Sequence, residues 1–393
     1  MNKDVGILTY DYPTNYGAVL QTFALCEKLK MLNFIPHVIR WGSHYHMTAG
    51  IENDNLKMFR DKYLPRTQVC YTTQELRDTT SNFSKILIGG DQVFRRWADL
   101  EEEPVLRYFG DWIVGEKTLA SYGASFGLDY FNGNNELIEK IKFLLKRFDR
   151  IGIREKSGVE LLKNTFLTNG VEVLDPVFLL DKNKYEFLID NAPDIKPNAT
   201  DYIAYMCLGN NSEFGDIDTV LKSTLKNENI VNINKNSNNE NNSIEQWLYN
   251  IHNAKFVITN SFHCVAFAII FNRPFIVVNR EYGGNSRIKN ILENLKLTQC
   301  QRSNLDDISH SDLNLQINWD EVSNVLASKR KKSENFLNEV LELSPTTKDL
   351  YSDPKLDKIR AKYEKKYQKK KQKIQNKNKK NIFNTLMNLF TKN

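Results

Sequence analysis

The amino-acid sequence predicts an α/β protein built from two domains, with a basic tail behind them. Short apolar runs alternate with stretches whose apolar residues recur at helical spacing, the pattern of parallel sheets covered by helices. The alternation stops at a proline-bearing stretch near the middle of the chain and then begins again. A length of 393 residues suits two domains of the usual ~150 residues each. Each half therefore reads as a Rossmann-like domain, the two facing across a cleft.

In chain order, Val5–Tyr10 reads as a buried strand and residues 11–16 as a turn-rich loop. Gly17–Leu32 is a predicted helix carrying Leu20, Phe23, Ala24 and Leu29 on one face, and His37–Trp41 a second strand. Strand, loop, helix, strand is the parallel crossover unit, whose ligands gather at the carboxyl ends of the strands. Lys85–Ile88, Leu119–Tyr122, Arg150–Ile153 and Val171–Leu174 are further strands, each ending in a loop rich in Gly, Ser or Asp. Asp175-Pro176 breaks the pattern, and 181–197 adds Pro193 and Pro197 without a long apolar element. The first domain is thus expected over 1–180, a linker over 181–200 and the second domain over 201–345. In the second domain, strands are predicted at 202–208, 230–233, 256–259 and 275–279, and helices at 217–225, 244–254, 262–271 and 287–295. The Asn-rich segment 234–242 reads as a polar surface loop.

Composition excludes several classes. The overall charge is +6, but residues 355–393 hold fourteen basic and two acidic residues, so the tail carries +12 and the body −6. A nucleic-acid-binding domain spreads positive charge over a folded face, so no nucleic-acid partner is expected. The five cysteines, Cys26, Cys70, Cys207, Cys264 and Cys300, are scattered without a C-x-x-C or a His at ligand spacing, so neither disulfides nor a metal site is expected. The start of the chain lacks the basic and long apolar run of a secretory signal, and no apolar stretch approaches the ~20 residues that span a bilayer. A reducing, cytoplasmic setting follows as the expectation.

Six groups of residues at predicted strand ends could carry chemistry. Asn15-Tyr16-Gly17 opens the first helix, where free N–H groups favour an anion, or where glycine simply eases the helix start. Gly89-Gly90-Asp91 admits close approach of a ligand to the backbone, with Asp91 either capping a helix or binding a hydroxyl. Ser125 offers a hydroxyl in a tight turn of small residues. Arg154, at a strand end and a helix start, could clamp a carboxylate or phosphate bidentately or serve an internal ion pair. Ser261-Phe262-His263 places an imidazole in the first turn of an apolar helix, facing the strand ends and suited to proton transfer. The last, Tyr282-Gly283-Gly284-Asn285-Ser286-Arg287, is a plausible anion cradle through Ser286 and Arg287. Cys264 lacks an activating partner and reads as a small buried residue.

These motifs, in this order, resemble the polysaccharide pyruvyltransferase family. The matching stretches are GILTYDYPTNYGAVLQTFAL, ILIGGDQVF, ASYGASFG, IGIREKSGVELL, VLDPVFLL, ITNSFHCVAFAIIFNRPFIVV and NSRIKNILENL, which together cover roughly three quarters of the chain. The resemblance implies a two-domain fold like the GT-B glycosyltransferases, with the active cleft between the domains. It also implies transfer of pyruvate from phosphoenolpyruvate to two sugar hydroxyls as a cyclic ketal on a bacterial surface glycan or its lipid-linked precursor, with no cofactor. On that reading Arg154 and Arg287 clamp the donor and His263 is the acid/base or phosphate contact. Relatives often carry Arg-Leu-His or Ser-Phe-His in the His263 segment, and Ser261 stands where some have Arg. A nucleotide-sugar glycosyltransferase and a non-catalytic glycan-binding protein are the alternative readings.

The tail lies outside the resemblance. Residues 346–393 read as helical or disordered, and in a helix Ile382, Phe383, Leu386, Leu389 and Phe390 share one side. Such a segment could lie in a membrane interface while the lysines meet anionic lipid, the alternative being a solvated charge run with a docked end. The protein is then expected at the inner face of the cell membrane.

Overall fold

Strand β1 (Asp4–Leu8) is buried at Val5, Ile7 and Leu8 because it runs through the middle of a parallel sheet covered on both faces. The structure is a computed structural model that describes residues 3–10, 15–42, 54–97, 102–198, 201–208, 217–235, 240–280 and 284–355, and scattered positions from 357 to 372. The first sheet adds β2 (Ile35–Trp41), β3 (Arg66–Cys70), β4 (Lys85–Ile88), β5 (Gly115–Ala124), β6 (Arg150–Ile153) and β7 (Val171–Glu172). Their order is β3-β2-β1-β4-β5-β6-β7, all parallel. The chain reverses its direction of travel between β1 and β4, where Val5 lies beside Lys85 and Leu8 beside Ile88, so a crevice opens there at the carboxyl ends.

The second sheet comprises β8 (Tyr202–Met206), β9 (Asn229–Asn232), β10 (Phe256–Thr259), β11 (Phe275–Val278) and β12 (Gln301–Arg302), in the order β12-β11-β10-β8-β9 and again parallel. Its switch point lies between β8 and β10. Two Rossmann-like domains with parallel sheets are therefore present, as the alternating pattern predicts.

The domains are in direct contact. The helix Tyr16–Met31 is buried nearly all round, because one side lies on the first sheet and the other meets the 3₁₀ turn Pro176–Leu179 and the helix Phe262–Ile270. Tyr16 reaches into the second domain. Its ring stacks on Trp247 at 5.3 Å, and its hydroxyl donates to the carbonyls of Asn242 at 2.9 Å and Asn234 at 3.2 Å. The Asn-rich segment is thus a clasp between domains at its base, whereas the expected polar tip, 236–239, lies outside the described residues.

Three expectations are corrected. The supposed linker 181–200 contains the helix Lys182–Asp190, whose Tyr185, Leu188 and Ile189 are buried, with Tyr185 edge-on to Phe267 at 4.8 Å. The apolar spacing is helical but spans only nine residues among charged ones. Residues 346–348 are not tail: β13 (Thr346–Lys348) pairs antiparallel with β5, and Lys348 Nζ donates to Asp149 at 2.9 Å. The chain returns there through the long helix Trp319–Glu342, whose Phe336 ring lies 6.3 Å from that of Tyr122 in the first domain. The start of the tail is also docked, since Arg360 is buried against Asp111, which also pairs with Arg107. The apolar segment 382–390 lies outside the described residues.

Candidate functional site

The carboxyl ends of β4, β5 and β6 deliver the first-domain half of the site. After β4 the chain turns through Gly89, Gly90 and Asp91 at φ of 134°, 69° and 61°. Both glycines are required by close packing: a Cβ at Gly89 would lie 2.6 Å from the Tyr122 carbonyl oxygen, and one at Gly90 would lie 1.5 Å from Gln21 Oε1. They shape the turn and approach protein atoms. Among the described residues no helix begins at Asp91, so its expected capping role is not realised. Its carboxylate instead lies 3.6 Å from the Arg154 guanidinium. Ser125, at the end of β5, donates to Glu155 Oε1 at 2.9 Å and accepts from the Gly127 N–H at 2.9 Å, so both of its bonding directions are used internally.

Arg154 follows β6 and is the hub of a buried charge cluster. Its Nη1 donates to Asp175 Oδ2 at 2.5 Å, and its Nε lies 3.9 Å from Glu155 Oε2. Burial alone would lower the Arg154 pKa, but Asp175, Asp91 and Glu155 hold it above its ordinary value. Asp175 precedes Pro176 and caps the 3₁₀ turn, with Oδ1 accepting from the Val177 N–H at 3.1 Å. Burial would push its carboxyl up, yet His263 and Arg154 outweigh that and hold it below the usual carboxylate range. Glu155 goes the other way. Burial raises its pKa, and the opposing pull of Arg154, Arg287, Ser125 and the Phe126 N–H does not cancel the rise.

The second domain closes the cluster. The helix Phe262–Ile270 starts at the end of β10 with Ser261 as its N-cap, although the Ser261 side chain makes no capping bond. His263 Nε2 stands 3.5 Å from Asp175 Oδ2. The imidazole lies so close to Gly17 that a Cβ there would sit 1.9 Å from Nδ1. The Phe262 ring faces both guanidiniums, with Arg154 Cζ at 4.5 Å and Arg287 Cζ at 6.0 Å from its centroid. Arg287, in the first turn of the helix Asn285–Asn294, is buried, and burial together with the charge of Arg154 lowers its pKa to about 10. Among the described residues, Arg154 Nε and Nη2, Glu155 Oε2, His263 Nε2 and Arg287 Nε are buried without a hydrogen-bond partner. Buried polar groups left so cost about 1–3 kcal/mol each, and their gathering in one cluster suits a polar or charged ligand.

The structure thus brings Gly17, Asp91, Ser125, Arg154, His263 and Arg287 together. Asn15 instead caps the first helix, its Oδ1 accepting from the Ala18 N–H at 3.2 Å. Tyr16 spends its hydroxyl on the interdomain clasp, and Ser286 lines a separate cleft next to the cluster. Tyr282 and Gly283 lie outside the described residues. Sequence reasoning missed Asp175, Glu155 and Phe262 as site residues, although all three stand inside the quoted motifs. Among the described residues no group of three or more His, Cys, Asp or Glu could hold a metal ion.

Among solved structures, the chain is similar to a glycosyltransferase from Rickettsia africae at 13% identity and TM-score 0.48, covering 87% of this chain and 96% of that one. It is also similar to a UDP-N-acetylglucosamine 2-epimerase from Rickettsia bellii at 11% and 0.49, covering 87% and 97%. A third is the ADP-heptose LPS heptosyltransferase II of E. coli at 9% and 0.38, covering 83% and 99%. No curated protein matches the chain. The family described as polysaccharide pyruvyl transferase matches residues 15–282, from the cap of the first helix onward and so across both domains. With more than half of its length inside that match, the chain belongs to the polysaccharide pyruvyl transferase family.

Proposed function

We propose that this transferase moves the pyruvyl unit of phosphoenolpyruvate onto two hydroxyls of a sugar, forming a cyclic ketal during bacterial surface glycan synthesis. The observation that carries the reading is the pair of buried guanidiniums, Arg154 and Arg287, with uncommitted N–H donors beside His263. A donor with a carboxylate and a phosphate needs two such cations, and in a buried setting each charge-assisted bond is stronger than in water.

The donor methylene carbon takes a proton while a sugar oxygen bonds to the central carbon. Phosphate then leaves, and the second hydroxyl closes the ring. Of the two protons the hydroxyls give up, one ends on the new methyl group and the other on phosphate. His263 is the group suited to move them, and the Asp175 carboxylate stands 3.5 Å from its Nε2.

Incubating the protein with phosphoenolpyruvate and a glycan panel tests the reading. Acceptor-dependent phosphate release is expected, whereas nucleotide release from a sugar nucleotide would replace the reading with glycosyl transfer. His263→Ala is expected to cut turnover by about 10²–10⁴-fold with the fold intact, as for a lost acid/base. Near-normal turnover would remove His263 from the mechanism.

The same proposal sets the work at the inner membrane face. No helix among the described residues is long and apolar enough to cross a membrane. The tail supplies the alternative, because residues 365–393 hold ten basic residues and no acidic one. Each basic group near an anionic surface contributes about 1 kcal/mol. Removing residues 365–393 leaves the Arg360–Asp111 dock in place, and is expected to abolish binding to phosphatidylserine vesicles while activity on soluble acceptors persists. Undiminished vesicle binding would refute the anchor.

A further inference from the structure

We infer that the open cleft at the carboxyl ends of β11 and β12 is the acceptor subsite, built to hold an uncharged sugar by its hydroxyls. The inference rests on the pyruvyl-transfer reading and extends it to the second substrate. The cleft has a volume of about 640 Å³, within the range of small-molecule sites, and joins Asp129 of the first domain to Asn279, Ser286, Lys289, Gln301 and Arg302 of the second.

Three observations select the ligand class. First, the cleft is nearly neutral, unlike the guanidinium cluster. Arg302 is committed to Asp312 and to the carbonyls of Gln299 and Gln301, Lys289 lies 3.7 Å from Glu293, and Asp129 stands on the opposite domain. A trianionic donor has no reason to prefer it. Second, the bond from Gln301 Nε2 to Asn279 Oδ1, 2.6 Å, fixes both amides and leaves Asn279 Nδ2 as donor and Gln301 Oε1 as acceptor for a ligand. A fixed donor beside a fixed acceptor suits a pair of neighbouring hydroxyls, and the hydroxyls of Thr298 and Ser303 extend the same polar lining. Third, Ser286 lines the cleft while Arg287, the next residue, is buried in the cluster facing Phe262. One helical turn is therefore the wall between a place for an anion and a place for a sugar, the adjacency that transfer between them requires.

Saturation-transfer NMR with methyl glycosides of glucose, galactose and mannose tests the subsite without any donor. At least one glycoside is expected to receive saturation from the wild-type protein, and phosphoenolpyruvate or UMP is expected not to displace it. Asn279→Ala/Gln301→Ala is expected to lose the signal. So is Ser303→Trp, which fills the cleft from an exposed rim position and spares the fold. In turnover, the double variant is expected to raise the acceptor KM by about tenfold or more, the size of one or two lost hydrogen bonds, with the phosphoenolpyruvate KM within about twofold. Four results would each overturn the inference: no glycoside binding, binding unchanged in both variants, displacement by phosphoenolpyruvate, or displacement by UMP. Glycoside binding that maps to the cleft in a protein that never releases phosphate would instead retire the transfer reading and leave a sugar-binding cleft.

Discussion

Asp175→Ala is expected to lower the stability of the protein by about 3–5 kcal/mol, the cost of breaking a buried ion pair by deleting one partner. The carboxylate is almost wholly buried and bonds to Arg154 at 2.5 Å and to the Val177 N–H at 3.1 Å, with His263 Nε2 3.5 Å away. Without it the Arg154 guanidinium keeps only Asp91 at 3.6 Å and Glu155 at 3.9 Å, neither at hydrogen-bond distance. Because burial has also raised the Glu155 pKa, that group is a poor substitute charge. Asp175→Asn keeps the cap on Val177 and the side-chain volume, so its loss is expected to be smaller, and the difference between the two variants isolates the charge.

The pH dependence has a definite sign. The folded state depresses the Asp175 pKa, so its contribution is complete above the unfolded carboxylate value of ~3.9 and is lost as pH falls toward the folded value. Denaturant melts of wild type and Asp175→Ala should therefore differ most near neutrality and converge below about pH 4. Equal midpoints at pH 7 would show that the Arg154 cluster does not hold the fold.

Parts of this arrangement are legible from sequence, and the reason is physical. The strands β4, β6 and β10 lie at the predicted boundaries, because central parallel strands are short, largely apolar runs, ended here by Gly89, Arg154 and Asn260. Arg154, His263 and Arg287 stood out because each follows such a run, where the fold exposes ligands. The helix Asn135–Leu145 and the long helix Trp319–Glu342 were not picked out. Their apolar residues, such as Leu137 and Ile141 or Val322 and Leu326, are diluted by charged neighbours, and only packing shows which face is buried. Asp175 was hidden differently. An Asp before Pro reads as punctuation, and it is punctuation, since it caps a 3₁₀ turn with one oxygen. Its second oxygen meets residues 21 and 88 positions away in the chain, contacts that no local pattern carries.

Gly17→Ala is expected to lower transfer by about 10²-fold or more while changing stability far less, because the added methyl meets the His263 side chain. The methyl carbon would lie 1.9 Å from His263 Nδ1, 2.1 Å from Cγ and 2.7 Å from Cβ. Rotating the ring cannot relieve contact with the His263 Cβ, so the first turn of the helix Phe262–Ile270 must retreat from the helix Tyr16–Met31. Displacing an acid/base group by about 1 Å is enough for a loss of that size. Overpacking costs about 1–3 kcal/mol, offset by up to ~1 kcal/mol because Ala favours the helix that Gly17 opens. The separation can be measured. Adding His263→Ala to Gly17→Ala removes the clash, so the double variant should regain stability relative to Gly17→Ala without regaining turnover, and the two substitutions should be strongly non-additive in both readouts. Wild-type turnover in Gly17→Ala would mean that the imidazole does its work in some other position, and the contact between the two domains would lose its place in the mechanism.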